Sequence, residues 1–420
     1  MKDGQTDLIP LRRGDVVALP ETLEPGRAGP ARYAHAILGA GCAGLSLCYY
    51  LLECGVEGPI LILDRKESFT DDRTWCFWDV EETPFSQLAV RRWTSWAVRA
   101  DGREIVHTSD RYPYLCLTGA DFYRDALGKI SSRGEVTVRL GEEVLAYEET
   151  DAGVLVTTPQ GSYLADNVFD GRGLPADSEA FKAARREERW MSQQFLGFRL
   201  RAGRAVFDPD VCTLMDFSVD QGRGLRFAYV LPFDDREALV ENVYLSRDGA
   251  PPAVHRREIS TYLRDRYDLS EADYEVYGEE WGNIPMTVRR YPRRAGGRTN
   301  EIGTLGGDTR PSTGYAFLRV QRRCRALAAR VTGHGERGRV HPWRYGPLDR
   351  IFLRLLRERP ETSPGIYARM FAGVDPAPLV RFLTETSSPL DDAGLIGALP
   401  KTPFVQLAMR EILALAREGP

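Results

Sequence analysis

No run of about 18 apolar residues occurs in this chain, so no transmembrane helix is predicted. Histidine is scarce, at five residues, and none falls with cysteine in a spacing that would hold zinc. No metal site is therefore expected. The seven cysteines are odd in number and irregularly spaced, which excludes a disulfide framework. Cys42, Cys48 and Cys54 read instead as small buried packers. Basic charge is not in excess: the net charge is −4, which argues against a nucleic-acid partner. The arginine pairs at 289–290, 293–294 and 322–323 are short and scattered and read as solvated faces. Residues 1–32 are polar, contain Pro and Gly, and lack the apolar core of a secretory signal. They read as a flexible N-terminal extension, and the expected location is the cytoplasm.

A chain of 420 residues suffices for two or three domains and a large core. The most informative stretch is 34–64. An apolar run ends at Ala36-Ile37-Leu38. Gly39-Ala40-Gly41-Cys42-Ala43-Gly44 follows, a G-x-G-x-x-G. Next come a helix-like segment over 45–52, a stop at Gly55, and a second apolar run, Ile60-Leu61-Ile62-Leu63, ending at Asp64. This is the order of a dinucleotide-binding βαβ unit. Gly39 permits the tight turn, Gly41 lets the backbone approach a pyrophosphate, and Gly44 lets helix and strand pack closely. Ala43 and Arg65 flank the same site. The helix N-terminus offers free N–H groups to phosphate, and Asp64 is placed to accept from ribose hydroxyls.

Two later turns extend the pattern. Val168-Phe169-Asp170-Gly171-Arg172-Gly173 is a strand running into D-G-x-G, which fits the edge of the same nucleotide site. At 301–317 a strand over 302–305 meets Gly306-Gly307-Asp308, then Gly314-Tyr315 and a helix through 330. In two-dinucleotide-fold flavoproteins such a G-D holds the ribityl chain, and the following loop and helix N-terminus face the pyrophosphate and the isoalloxazine. Together the motifs favour FAD over NAD. The predicted fold is α/β: a two-dinucleotide-fold flavoprotein, Rossmann-like and glutathione-reductase-like.

Between these segments the character changes. Asp71-Asp72-Arg73 leads into Thr74-Trp75-Cys76-Phe77-Trp78, either a strand or a loop roofing a cavity near the cofactor. Residues 92–99, with Trp93 and Trp96, read as one strand. A helix is predicted over 118–131, and strands over 136–140 and 154–158. Alternation over 195–200, 214–217, 225–231 and 238–245 predicts an antiparallel sheet with one buried face. A helix over 253–267 and a turn at Asn283-Ile284-Pro285-Met286 follow. Helices are expected over 348–357, 378–385 and 404–417. Leu348, Ile351, Phe352, Leu355 and Leu356 form one apolar stripe, and Phe404, Leu407, Ala408, Ile412 and Leu415 another. The domain reading is an extension at 1–32 and an FAD domain at 33–74, 111–185 and 296–340. A substrate domain takes 75–110 and 186–295, and a helical region 341–420.

These residues resemble the lycopene cyclase family, flavoproteins of carotenoid biosynthesis. Gly39–Gly44 with Leu45-Ser46-Leu47 is similar to its G-A-G-x-A-G-L-S-L, and residues 72–78 to its D-R-T-W-C-F-W. Leu214-Met215-Asp216-Phe217, Leu239-Val240-Glu241, Ile284-Pro285-Met286, the 306–315 loop and Leu399-Pro400-Lys401 resemble further family segments in order. Residues 1–32 have no counterpart.

The resemblance implies an isomerase that closes the linear ends of lycopene into β-ionone rings. The active form carries reduced FAD, with NAD(P)H as reductant, and there is no net redox change. It implies Glu241 as the acid/base residue, with Asp216 a candidate partner. Asn242 stands where some members have a second carboxylate, which sets aside a two-carboxylate relay at that motif. Trp75, Phe77 and Trp78 are candidates for the substrate slot. A polyene substrate implies peripheral association with a membrane surface, for which the stripe at 348–356 is one candidate. Rival readings are a cyclase of another prenyl chain or meroterpenoid, a flavin-dependent monooxygenase or prenyl reductase, and a non-catalytic flavin or carotenoid binder. No oligomeric state is predicted.

Overall fold

Strands that are apolar without alternation need cover on both faces. β1 (Tyr33–Leu38) and β2 (Ile60–Asp64) are of this kind and lie side by side in parallel. The structure, a computed structural model, describes residues 16–20, 32–133, 135–173, 182, 190–288, 297–335 and 340–418. The arginine pairs at 289–290 and 293–294, the side chains of Ile412 and Leu415, and most of the N-terminal extension lie outside the described residues. Within that extension Val17 is buried and its N–H donates to the Phe69 carbonyl at 2.8 Å.

β8 (Val136–Leu140), β2, β1, β11 (Gly161–Asp170) and β17 (Thr299–Glu301) form a parallel core. The N-terminal half of β11 turns antiparallel to β10 (Gly153–Thr158), which pairs with β9 (Ala146–Thr150). α1 (Cys42–Glu53), α2 (Gly119–Ser131) and α4 (Phe317–Val331) cover one face. Thr118 caps α2, accepting from the Asp121 N–H at 3.2 Å. Cys48 is buried in this core, with Cys42 and Cys54 half-buried beside it. Arg322 is no solvated arginine: on α4 it turns inward, donating to Glu81 at 2.7 Å and to the Thr384 carbonyl at 2.8 Å. The strand before the third glycine turn sits at 299–301, three residues earlier than predicted, because 303–307 are already turn.

The second sheet runs β16 (Tyr274–Met286), β12 (Met191–Ala202), β15 (Glu237–Ser246), β14 (Leu225–Pro232), β13 (Val211–Asp216), β5 (Ser95–Ala100), β6 (Arg103–Thr108). It departs from expectation in three ways. It is mixed, since β5 pairs with β13 in parallel. Both faces are covered: α3 (Pro252–Tyr267) packs on one, and the C-terminal helices on the other. The segment 283–286 is not a turn but the end of β16, paired with β12 through Met286. β16 is an edge strand, where a proline is tolerated because its lost N–H need not break a ladder on both sides.

The stretch 92–99 is two strands, not one. β4 (Arg91–Trp93) joins β7 (Tyr114–Thr118) and β3 (Thr74–Trp78) in a small sheet, and β5 enters the large one.

Beyond 340 come α5 (Tyr345–Glu358), α6 (Ser363–Gly373), α7 (Pro376–Leu383), α8 (Pro389–Ala398) and α9 (Lys401–Glu418). The stripe at 348–356 does not face outward. Leu355 and Leu356 are buried, and Phe352 packs on Phe404 of α9 with ring centroids 6.4 Å apart. Arg354, on its flank, is paired with Glu411 at 3.2 Å. No helix among the described residues is long and apolar enough to cross a membrane.

Candidate active site

The glycines gather at the carboxyl ends of the parallel strands, where open α/β sheets bind ligands. Gly39 has φ +99°, a conformation that favours glycine. A Cβ on Gly44 would stand 1.9 Å from the Gly39 carbonyl oxygen, so helix and turn are in contact there. Beside Gly41, by contrast, a Cβ would meet nothing within 4 Å. The α1 N-terminus has no side-chain cap and no acidic residue in its first turn. Open space at an uncapped helix N-terminus suits a pyrophosphate.

The other predicted residues border this place. Ala43 lies in the first turn of α1. Asp64 accepts from the Ala40 N–H at 2.6 Å and the Lys66 N–H at 2.9 Å, at the strand end, with Arg65 exposed beyond it. The second turn meets the first, with the Gly171 N–H donating to the Leu38 carbonyl at 2.8 Å. Asp170 there is paired with Arg172 at 2.8 Å. Gly307 and Gly314 both have positive φ, and buried Asp308 accepts from the Gly303 N–H at 2.8 Å. The residues fit a dinucleotide: two halves of a cradle, one on α1 and one on the 303–317 loop.

That loop is also one wall of a cavity of about 400 Å³. Thr309, Thr313, Gly314 and Tyr315 stand on one side. The large sheet supplies Phe227, Tyr229, Leu239, Glu241 and Val243 on the other, and Arg73–Cys76 close an end. Glu241 is buried. On β15 the odd-numbered residues face the cavity, and Val240 and Asn242 face α3. Tyr229 is its neighbour on β14 and Gly197 its neighbour on β12. A Cβ on Gly197 would approach the Glu241 Cγ at 2.9 Å, so the glycine leaves room for the carboxyl. Across Gly197, on β16, stands Glu280, in the same cavity wall.

The two acids are not equivalent. Glu280 accepts from the Thr74 N–H at 2.7 Å and the Thr74 hydroxyl at 2.6 Å, and Arg199 lies 3.7 Å away. Arg199 also pairs with Asp71 and donates to the Thr74 hydroxyl at 2.9 Å. Burial raises the Glu280 pKa above the usual carboxylate range, and Arg199 and the Thr74 hydrogen bonds oppose that rise. For Glu241, burial and then the Glu280 charge push the pKa well above the usual carboxylate range, with Arg199 opposing. Both acids are thus shifted toward the protonated form, Glu241 the more strongly.

Other assignments need correction. Asp216 does not face the cavity. It is fully buried toward α3, accepting from Tyr262 at 2.9 Å, Arg99 at 3.4 Å and the Ser218 N–H at 3.0 Å. A register shift in β13 turns Leu214 and Met215 to the cavity instead. Trp75 lines the cavity, but Phe77 and Trp78 do not. Phe77 stacks on Phe317 at 4.4 Å, and Trp78 is buried against Tyr114 at 4.7 Å. Residues 74–78 are thus a strand that packs most of its aromatics and lends one end to the cavity. Asn242 donates to Glu258 at 2.9 Å on the far side of the sheet, so a second carboxylate there would not meet Glu241. Sequence reasoning misses Glu280 and Arg199. The alternation of 274–282 carries the signal, masked by reading 283–286 as a turn.

The family described as "Lycopene cyclase protein" matches residues 35–409. The chain belongs to the lycopene cyclase family. It is similar to a lycopene beta-cyclase of Pantoea ananas, 26% identical over 265 residues, or 60% of this chain and 62% of that relative. The match thus spans less than two thirds of the relative's length. Among solved structures it resembles a geranylgeranyl bacteriochlorophyll reductase-like protein from Thermoplasma acidophilum. The TM-score is 0.58 at 12% identity, covering 90% of this chain and 98% of that one. It also resembles a mutant form of the halogenase PltM in complex with FAD, at TM-score 0.51 and 13% identity, over 83% and 78% of the two chains. These likenesses establish a Rossmann-like flavoprotein fold for this lycopene cyclase family member.

Proposed function

We propose that this protein binds FAD and, with the flavin reduced at the expense of NAD(P)H, closes the linear ends of lycopene into β-ionone rings without net redox change. The observation that carries this reading is a buried Glu241, its pKa pushed up by burial and Glu280, sharing one cavity with the loop of the second half-cradle. Gly39–Gly44 and Asp64 would hold the ADP half, and Asp308 and Gly314 the flavin half. When bound and reduced, the flavin would supply negative charge that stabilises a nearby cation.

Glu241 donates its proton to the terminal double bond, leaving a tertiary cation. Apolar walls exclude water that would quench it, and the faces of Trp75 and Tyr229 add cation–π stabilisation. The neighbouring double bond attacks the cation and the ring closes. A proton then leaves the ring carbon. Ionised Glu241 takes that proton back, so atoms and charge balance and the acid is restored.

Lycopene partitions into membranes, and we place the contact on α8 and α9. Leu390, Val405 and Met409 are 84%, 57% and 61% exposed there. Changing these three to Ser is expected to reduce co-flotation with liposomes several-fold, and unchanged flotation would count against that face.

Expression in a lycopene-accumulating host tests the reaction. β-Carotene or γ-carotene should appear. Retained lycopene beside folded, yellow protein would redirect the reading to another prenyl chain.

A further inference from the structure

A second cavity, of about 330 Å³, lies beneath α5, α8 and α9. Ser312, Thr313, Tyr367, Met370 and Leu383 belong to the walls of both, so the two spaces adjoin. The second is lined by Phe352, Leu395, Leu399, Phe404 and Ala408. Its buried polar groups are engaged with one another. Arg310 pairs with Asp349 at 3.1 Å and donates to the Phe382 carbonyl at 2.7 Å, and the Ser312 hydroxyl donates to Asp349 at 2.7 Å. Apart from exposed Lys401, no acid or base among the lining residues is left to act on a ligand. Ile396 and Val405 line it and are 49% and 57% exposed, which sets its rim at the surface of α8 and α9.

We propose that the second cavity is a binding subsite for the extended, unreacted part of the linear apolar chain whose end lies at Glu241. The proposal rests on the function proposed above for the substrate's class, but not on the chemistry at Glu241. A chain with one end at Glu241 must continue through an apolar wall. The shared wall leads to such a space and on to the surface. Met370, unbranched and pliable, forms part of the partition and can yield to a passing chain.

The test is equilibrium binding of lycopene from detergent micelles, read by its visible absorption. A half-length acyclic analogue bearing the same end is compared with it. Ala408→Trp on α9 and Leu348→Trp on α5 both fill the second cavity. Each is expected to weaken lycopene binding by about ten-fold or more and to leave the analogue unaffected. Two blocking variants on separate helices, each checked by a cooperative melt, keep the result independent of one misfolded protein. Undiminished lycopene binding in a folded blocking variant overturns the subsite, as does equal loss of both ligands. Selective loss of lycopene binding in the blocking variants, where the unaltered protein binds lycopene but forms no ring, supports the subsite and overturns the catalytic reading alone.

Discussion

Replacing Glu241 with Gln is expected to cut ring formation by about 100-fold to 10,000-fold, the usual contribution of a positioned general acid. The same change is expected to stabilise the protein. Glu241 is buried beside Glu280, which raises its folded-state pKa well above the ordinary value of 4.5. Between the unfolded and folded pKa values the unfolded chain binds fewer protons than the folded one. Stability from this group is therefore fully present below about pH 4.5 and is lost as pH rises through the folded value. The slope in that window is roughly 1.4 kcal/mol per pH unit. Gln has no proton to lose, so the variant should gain on the unaltered protein as pH rises. Melting curves across the pH range, beside pigment turnover, read both effects. A Gln variant that is inactive and less stable at neutral pH would mean that Glu241 is ionised in the folded state.

Arg199→Met should have the largest effect on stability, a loss of about 3–5 kcal/mol, as expected when one partner of a buried ion pair is removed. Arg199 is the cation between Asp71 and Glu280, and all three side chains are close to fully buried. Without it two carboxylates and the Thr74 hydroxyl lose a shared partner. Glu280 then becomes harder to ionise, which weakens its upward push on the Glu241 pKa. Urea unfolding at neutral pH measures the loss. A shift below about 1 kcal/mol would mean that the network is open to water and does not order the acid pair.

The nucleotide half of this protein is legible in its sequence because the signals are local. Gly39, Gly41 and Gly44 serve a turn and a helix start within six residues, and Asp64 ends the next strand. The substrate half depends on pairing between distant strands. Asp216 falls on the other face because a register shift in β13 reverses the alternation beside Leu214 and Met215. Pro285 disguises the end of β16, since its tolerance there follows from an edge position that local sequence does not show. Glu280 is hidden by the same error: it meets Glu241 only through the strand between them, where Gly197 leaves the space. The stripe at 348–356 is legible as one apolar face. What it covers, a cavity and α9, is settled by chain that lies some fifty residues further on.

The central claim is that Glu241 adds and removes protons while the flavin is not consumed. The most direct measurement is a single turnover: excess purified protein, loaded with reduced FAD and equilibrated in heavy water so that Glu241 carries deuterium, is given lycopene while reductant is counted. The account predicts one deuterium gained for each ring closed and no reductant spent in step with product. Rings formed without deuterium, or reductant consumed one for one with them, would contradict it.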